Sequence, residues 1–211
     1  LRNHRRKQEI MRIHLIRHGQ TPSNVSKALD TGFPGAPLTE LGREQAASLP
    51  RRLEGIPLDA IYTSPLIRTQ QTATPLATAR GLDLLVREGV REIRAGDMEM
   101  SSADEDYRAY FETMGAWIGG NLAVRMGGLE TGHDVLERFD SVVAEIESTG
   151  VESAAIVSHG AMITVWSAIR TSGLSTELVT RIHPLNNGIC EIEGSLSGGF
   201  QALSWMGERI G

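Results

Sequence analysis

Short apolar runs alternate along this chain with longer stretches in which apolar residues recur every three or four positions. Residues 12–17, with Ile13, Leu15 and Ile16, predict a buried strand. A segment punctuated by Gly32, Pro34, Gly35 and Pro37 follows, and Thr39 then reads as the N-cap of a helix carrying Ala46, Leu49 and Leu53. Residues 58–63 predict a second strand. Ser64-Pro65 is expected to open the next helix, with proline at its first position. That helix carries Arg68, Thr72 and Leu76 and ends near Gly81, and residues 83–87 predict a short strand. Residues 97–130 are less regular, rich in large side chains, and predict a partly helical insertion. Val135, Phe139, Val142, Val143 and Ile146 have helical spacing over 132–149. A strand over 154–158, a helix over 161–170 and strands over 188–193 and 200–206 complete the pattern.

Strands alternating with helices predict an α/β fold. The expected architecture is a three-layer sandwich with a mostly parallel central sheet flanked by helices and an inserted segment at about 97–130. In such folds ligands sit beyond the carboxyl ends of the strands. His18, Ser64 and His159 all fall at strand-to-helix turns, so they are expected on one face.

At 211 residues the chain suits one domain, expected over 11–211, with residues 1–10 as a disordered N-terminal extension. Arg2, Arg5, Arg6 and Lys7 in that extension read as a solvated tail. A net charge of -5 argues against a nucleic-acid or anionic-membrane binder but leaves an anionic substrate open, since a local field can oppose the global one. Cys190 is the sole cysteine, which excludes an intramolecular disulfide and favours a reducing compartment. With no apolar run of membrane-span or signal-peptide length, a cytoplasmic protein is expected. Nothing in the pattern commits to an oligomeric state.

The chemistry concentrates in Arg17-His18-Gly19, just after the first strand, and Ser158-His159-Gly160, just after a later one. Gly19 would let another group approach the backbone closely. Arg17 and Arg68 offer planar donor forks suited to a phosphate group. His18, if neutral, could attack phosphorus through a ring nitrogen, and the neighbouring arginines disfavour its imidazolium form. No histidine pair has zinc-ligand spacing on a helix, so no metal is expected.

Six ordered stretches resemble the histidine phosphatase superfamily, in its phosphoglycerate mutase-like branch. They are Arg17-His18-Gly19-Gln20-Thr21 with Asn24; Pro37-Leu38-Thr39-Glu40-Leu41-Gly42 with Gln45-Ala46; Thr63-Ser64-Pro65-Leu66-Ile67-Arg68 with Thr72-Ala73; Glu92; Glu130-Thr131 with Val135 and Arg138; and Val157-Ser158-His159-Gly160, with Asn187 as a later match. The resemblance implies that His18 becomes phosphohistidine and that Arg17, Arg68 and His159 hold the phosphoryl oxygens. It implies that Glu92 protonates the leaving oxygen and then activates water, and that Asn24 supports the phosphate or the nucleophile loop. Glu99 is a rival carboxylate for the Glu92 role. The resemblance implies no cofactor and casts 97–130 as a lid over the site.

The chain departs from the family at the rim. Met98-Glu99-Met100 replaces a common Trp-Glu-Gly, Ser23 a tryptophan and Thr69 an alanine, and Gly35-Ala36 stands where an aspartate is usual. Residues 97–130 hold only Arg108 and Arg125 as cations against seven acidic residues, which disfavours a doubly anionic substrate. The expected function is therefore a phosphomonoesterase acting on a small phosphorylated metabolite with a less charged leaving group. The alternatives are a phosphoglycerate mutase-type phosphotransferase and a non-catalytic protein that binds a phospho-ligand.

Overall fold

A computed structural model of the chain describes residues 10–181 and 184–210. All of the expected extension except Ile10 lies outside the described residues. In chain order the elements are β1 (Met11–Arg17), α1 (Pro22–Ser26), α2 (Glu40–Arg52), β2 (Ala60–Thr63), α3 (Ile67–Arg80), β3 (Leu84–Val86) and α4 (Asp104–Ile118). The hairpin strands β4 (Arg125–Met126) and β5 (Glu130–Thr131) lead into α5 (Gly132–Thr149), β6 (Ser153–Ser158), α6 (Gly160–Arg170), β7 (Thr171–Ser172) and α7 (Thr176–Arg181). The chain finishes with β8 (Ile189–Ser195), β9 (Gly199–Trp205) and β10 (Glu208–Arg209).

The main sheet has the order β10-β9-β8-β1-β6-β2-β3, with β7 beside β9. Strands β1, β6, β2 and β3 run parallel, as the βα alternation predicts. Strand β8 adds to β1 antiparallel, and β9 and β10 continue that wing. The three residues between β8 and β9 leave room only for a hairpin, so this pair cannot be parallel.

Period-two alternation sends successive side chains of the central strands to opposite faces. Ile13 and Leu15 of β1 and Ile156 of β6 join Val135, Phe139 and Trp166 under α5 and α6. Ile16 and Val157 join Leu49, Leu53 and Leu76 under α2 and α3. Two apolar layers thus clamp the sheet between helix pairs, which is the three-layer sandwich. Helix α4 packs beside α6. Among the described residues no helix is long and apolar enough to cross a membrane.

Helix α2 starts as expected: the Thr39 hydroxyl accepts the Gly42 N–H. The helix after β2 does not begin at Pro65. The Leu66 N–H bonds back to Ser64 Oγ, Leu66 stays extended, and the Ile67 N–H bonds to Pro34 O, so the first helical residue is Ile67. The side chain-to-backbone turn at Ser64 outcompetes an earlier helix start.

Sheet register explains why the chemistry converges. Arg17 pairs with Ser158, and Thr63 pairs with Val157 on the other side of β6. Three adjacent parallel strands therefore end at one level. The residues just past them are His18, His159 and Ser64.

Candidate active site

His18 is buried, and both its ring nitrogens are engaged. Nδ1 lies 2.7 Å from the Gly19 carbonyl oxygen, which only accepts. Arg68 Nε–H, which only donates, points at Nε2 from 3.1 Å. Together these partners select the neutral tautomer with its proton on Nδ1 and its lone pair on Nε2. Burial pulls the His18 pKa well below its ordinary value, and the Arg68 and Arg17 charges add to that. The nitrogen facing Arg68 is a free base.

Gly19 does allow a close approach, but the partner is the backbone of α2. A Cβ on Gly19 would fall within 3.0 Å of Gly42 O, and one on Gly42 would do the same at Gln20 O. The paired glycines seat the nucleophile loop on the start of α2. The Gly19 N–H is taken by Thr72 Oγ1, whose own hydroxyl donates to Arg68 O. From the other side, Asn187 N–H reaches the carbonyls of Arg17 and His18, and Asn186 Nδ2 bridges His18 O and Asn24 Oδ1. Asn24 lies at the third position of α1, where its Oδ1 accepts the Thr21 N–H in a capping box. The same residue lines the cavity above His18.

His159 stacks edge-on with His18, ring centroids 5.2 Å apart. Its Nε2 is 2.8 Å from Ser64 Oγ. Ser64 Oγ accepts the Leu66 N–H, and among the described residues its own proton has no acceptor but His159 Nε2, so that proton is assigned to Nε2. The ring proton of neutral His159 then sits on Nδ1, a buried atom without a protein partner. Burial, then Arg68, hold the His159 pKa well below its usual value.

Two more buried donors lack partners, Arg17 Nε and Arg68 Nη1. Arg17 is anchored through Nη1 to Pro184 O, and Arg68 through Nη2 to Asp30 O at 2.8 Å. Asp30 Oδ1 lies 3.6 Å from Arg68 Nη1, while its Oδ2 accepts from Ser23 and from the Ala36 N–H. Glycines make room for both guanidinium groups. Gly160 packs on Arg17, and Gly35, at φ +73, leaves the space that Arg68 Nη1 occupies. An unmet buried donor costs about 1–3 kcal/mol. With His159 Nδ1 there are three, from different elements around one histidine, and donors in that arrangement suit an anion with several oxygens.

Glu92 is not a solvated ion-pair partner of its arginine neighbours. It is buried, with Oε1 accepting the N–H groups of Ile93 and Met162 at 2.9 Å each and Oε2 accepting Ala161 N–H at 3.3 Å. Burial raises its pKa, and those N–H groups and Arg68 offset only part of the rise. With Oε1 doubly engaged, Oε2 is the oxygen suited to carry a proton. Glu130 and Arg138 staple the segment in place: Glu130 binds Arg91, Arg138 and the Arg94 N–H, while Arg138 donates to the carbonyls of Gly89, Arg91 and Glu92. Glu99, the rival carboxylate, spends both oxygens on the Thr31 hydroxyl and the N–H groups of Thr31 and Gly32. It shapes the Asp30 loop.

Arg17, His18, Asn24, Arg68 and Glu92 all line one cavity of about 780 Å³. His159 does not line this cavity; it lies behind His18, against that ring. The roles of Asp30 and Asn186 left no mark in the sequence reading. Asp30 lies in an irregular loop and Asn186 just before β8, where no periodicity points at a partner.

Residues 13–206 match the histidine phosphatase superfamily (branch 1). Over 94% of its length the chain is 34% identical to the PE-PGRS family protein PE_PGRS11 of Mycobacterium tuberculosis, and it spans 37% of that longer protein. It is 29% identical to the adenosylcobalamin/alpha-ribazole phosphatase of Escherichia coli, over 79% of this chain and 82% of the relative. The solved structure of a mycobacterial glucosyl-3-phosphoglycerate phosphatase superposes with a TM-score of 0.76 at 25% identity, covering 93% of this chain and 98% of that one.

Proposed function

This chain belongs to the histidine phosphatase superfamily (branch 1), and from that premise we propose that it hydrolyses a small phosphorylated metabolite through a phosphohistidine on His18. One observation carries the proposal: three buried donors without hydrogen-bond partners, Arg17 Nε, Arg68 Nη1 and His159 Nδ1, lie around a histidine whose unprotonated Nε2 is capped only by the Arg68 Nε–H.

In this reading the phosphoryl group displaces the Arg68 Nε–H from Nε2, and that N–H turns to a phosphoryl oxygen. Nε2 forms the N–P bond as the ester O–P bond breaks in line. Arg17, Arg68 and His159 stabilise the charge on the transferring group. Glu92 Oε2 passes its proton to the leaving alkoxide, and the alcohol departs. The Glu92 carboxylate then takes a proton from water as the water oxygen attacks phosphorus. Phosphate leaves, and His18 returns neutral with Glu92 protonated.

We read residues 11–211 as one catalytic domain with 97–130 as its lid. The partner is a small phosphate ester, not a nucleic acid. Cys190 is buried, with its thiol pushed up to about 12 by burial, and this lone unpaired thiol supports a cytoplasmic location.

The test is rapid quench into alkaline detergent with radiolabelled p-nitrophenyl phosphate, with and without EDTA. Wild type should release phosphate and carry acid-labile, alkali-stable label in both conditions, and His18→Ala should do neither. A panel of esters giving no turnover and no label would overturn the proposal in favour of a binding protein. Interconversion of 2- and 3-phosphoglycerate without phosphate release would replace it with the mutase reading.

A further inference from the structure

The phosphate pole described above accounts for every charged side chain that lines the cavity among the described residues. These are Arg17, Asp30, Arg68 and Glu92, and all four belong to one cluster around His18. The rest of the wall is different. Helix α4 contributes Phe111, Met114, Gly115 and Ile118, and α6 and α7 contribute Ala168 and Val179. Tyr107, Phe111 and Tyr110 form a continuous aromatic run, with centroids 5.1 Å and 5.9 Å apart. Tyr110 ties that run to the phosphate pole, because its hydroxyl donates to Ile93 O, next to Glu92. Phe111 lines the cavity and keeps 42% of its surface exposed.

The charge and size of this wall decide what can fill it. At about 780 Å³ the cavity lies in the upper part of the roughly 300–1,000 Å³ range of small-molecule sites. A three-carbon acid or a phosphoamino acid would leave most of it unfilled. Such ligands would also bring a carboxylate, and beyond the phosphate pole the described wall offers no cation to meet one. Outside the cavity, α4 carries Asp104, Glu105, Asp106 and Glu112 against Arg108 alone, so the field of that helix does not favour a second anion.

We infer that the alcohol side of this site takes a bulky apolar group, so that the substrate class is the monophosphate of an uncharged aryl or long-chain alcohol with no second anionic group. This rests on the phosphatase reading and names the substrate of that same site. Gly115 is where the wall is open: a Cβ added there meets nothing within 4 Å. It sits inside α4, where a leucine also suits the helix better than glycine.

The test measures kcat/KM for ethyl and octyl phosphate, whose leaving groups match, and for phenyl and 2-naphthyl phosphate as the aryl arm. 3-Phosphoglycerate and phosphoserine are the anionic comparators. Half-burial of each added methylene gives about a factor of two, hence about 60-fold for octyl over ethyl. Gly115→Leu should cut the octyl-to-ethyl ratio at least tenfold. Preference in either arm supports the inference and tells chain from ring. Equal rates for octyl and ethyl together with equal rates for the two aryl esters, or faster turnover of either anionic ester, overturn it while leaving the phosphatase reading intact. Calorimetry on His18→Ala separates the two claims. Octyl phosphate bound at least tenfold more tightly than 3-phosphoglycerate, without turnover by wild type, keeps the apolar site and retires the phosphatase. Neither binding nor turnover retires both.

Discussion

Gly35 offers a sharp test of how Arg68 is placed. Alanine there puts a Cβ within 3.0 Å of Arg68 Nη1, in a backbone conformation with φ +73. The conformation alone costs about 1–2 kcal/mol, and about 0.4–1 kcal/mol returns through the stiffer unfolded chain. The net loss of about 1 kcal/mol lowers Tm by about 2–4 °C at this chain length. Gly55 supplies the control, because its φ is +74 and a Cβ there meets nothing within 4 Å. Gly55→Ala should therefore lose the same stability and keep its activity. In Gly35→Ala the guanidinium must move. Losing one charge-assisted hydrogen bond of about 1.5–3 kcal/mol lowers kcat/KM by about 10- to 150-fold. The assay is p-nitrophenyl phosphate turnover beside thermal melts of all three proteins. Equal kcat/KM for the two alanine variants would refute the argument that Gly35 exists to house Arg68.

Three further outcomes follow from the same geometry. Ser64→Ala removes the donor that sets the His159 tautomer and should lower kcat by about 10- to 100-fold, less than the roughly 10²–10³ of a directly lost oxyanion donor because Ser64 acts through His159, with KM for the ester little changed; an unchanged kcat would show that Ser64 does not direct His159. Because Glu92 must be protonated to act as the acid and its pKa is raised, kcat/KM should fall as pH rises through that pKa. Glu92→Gln should erase this limb and cost about 10²–10⁴ in rate, and a variant that kept the limb would assign it to another group. His18 and His159 resist protonation when folded but titrate near 6.5 when unfolded. The unfolded chain then binds more protons below pH 6.5, so stability should fall with falling pH by about 1.4 kcal/mol per unit for each histidine. The raised Glu92 opposes part of this at lower pH. In urea titrations from pH 5 to 7, His159→Gln should flatten the slope, and a slope equal to wild type would show that His159 is not buried neutral.

Much of this was legible along the chain. Period-two and helical spacing located β1, α2, α5 and β6 to within a residue or two, because their apolar faces are buried whole. The missed start of α3 was a contest between a proline preference and a local Ser64 hydrogen bond, and single-position signals do not rank such competitors. The fold divides the large residues of 97–130 between core and cavity. Trp117 turned into the core, with its Nε1–H on Val124 O, while Phe111 faced the cavity. Helical spacing alone cannot say which side of α4 meets α6.

By itself the sequence determined the candidate groups for the chemistry and the family of the chain. Arg17-His18-Gly19, Arg68, Glu92 and His159 are specific residue types in order, and that information is local. Only the tertiary structure decided their states: the tautomers of both histidines, the raised pKa of Glu92, the assignment of Glu99 to a loop, and the apolar wall beyond the phosphate pole. Each depends on partners dozens of residues away, brought together by strand register and burial. Desolvation and hydrogen-bond direction are properties of an assembled interior, and a linear order of residues does not carry them.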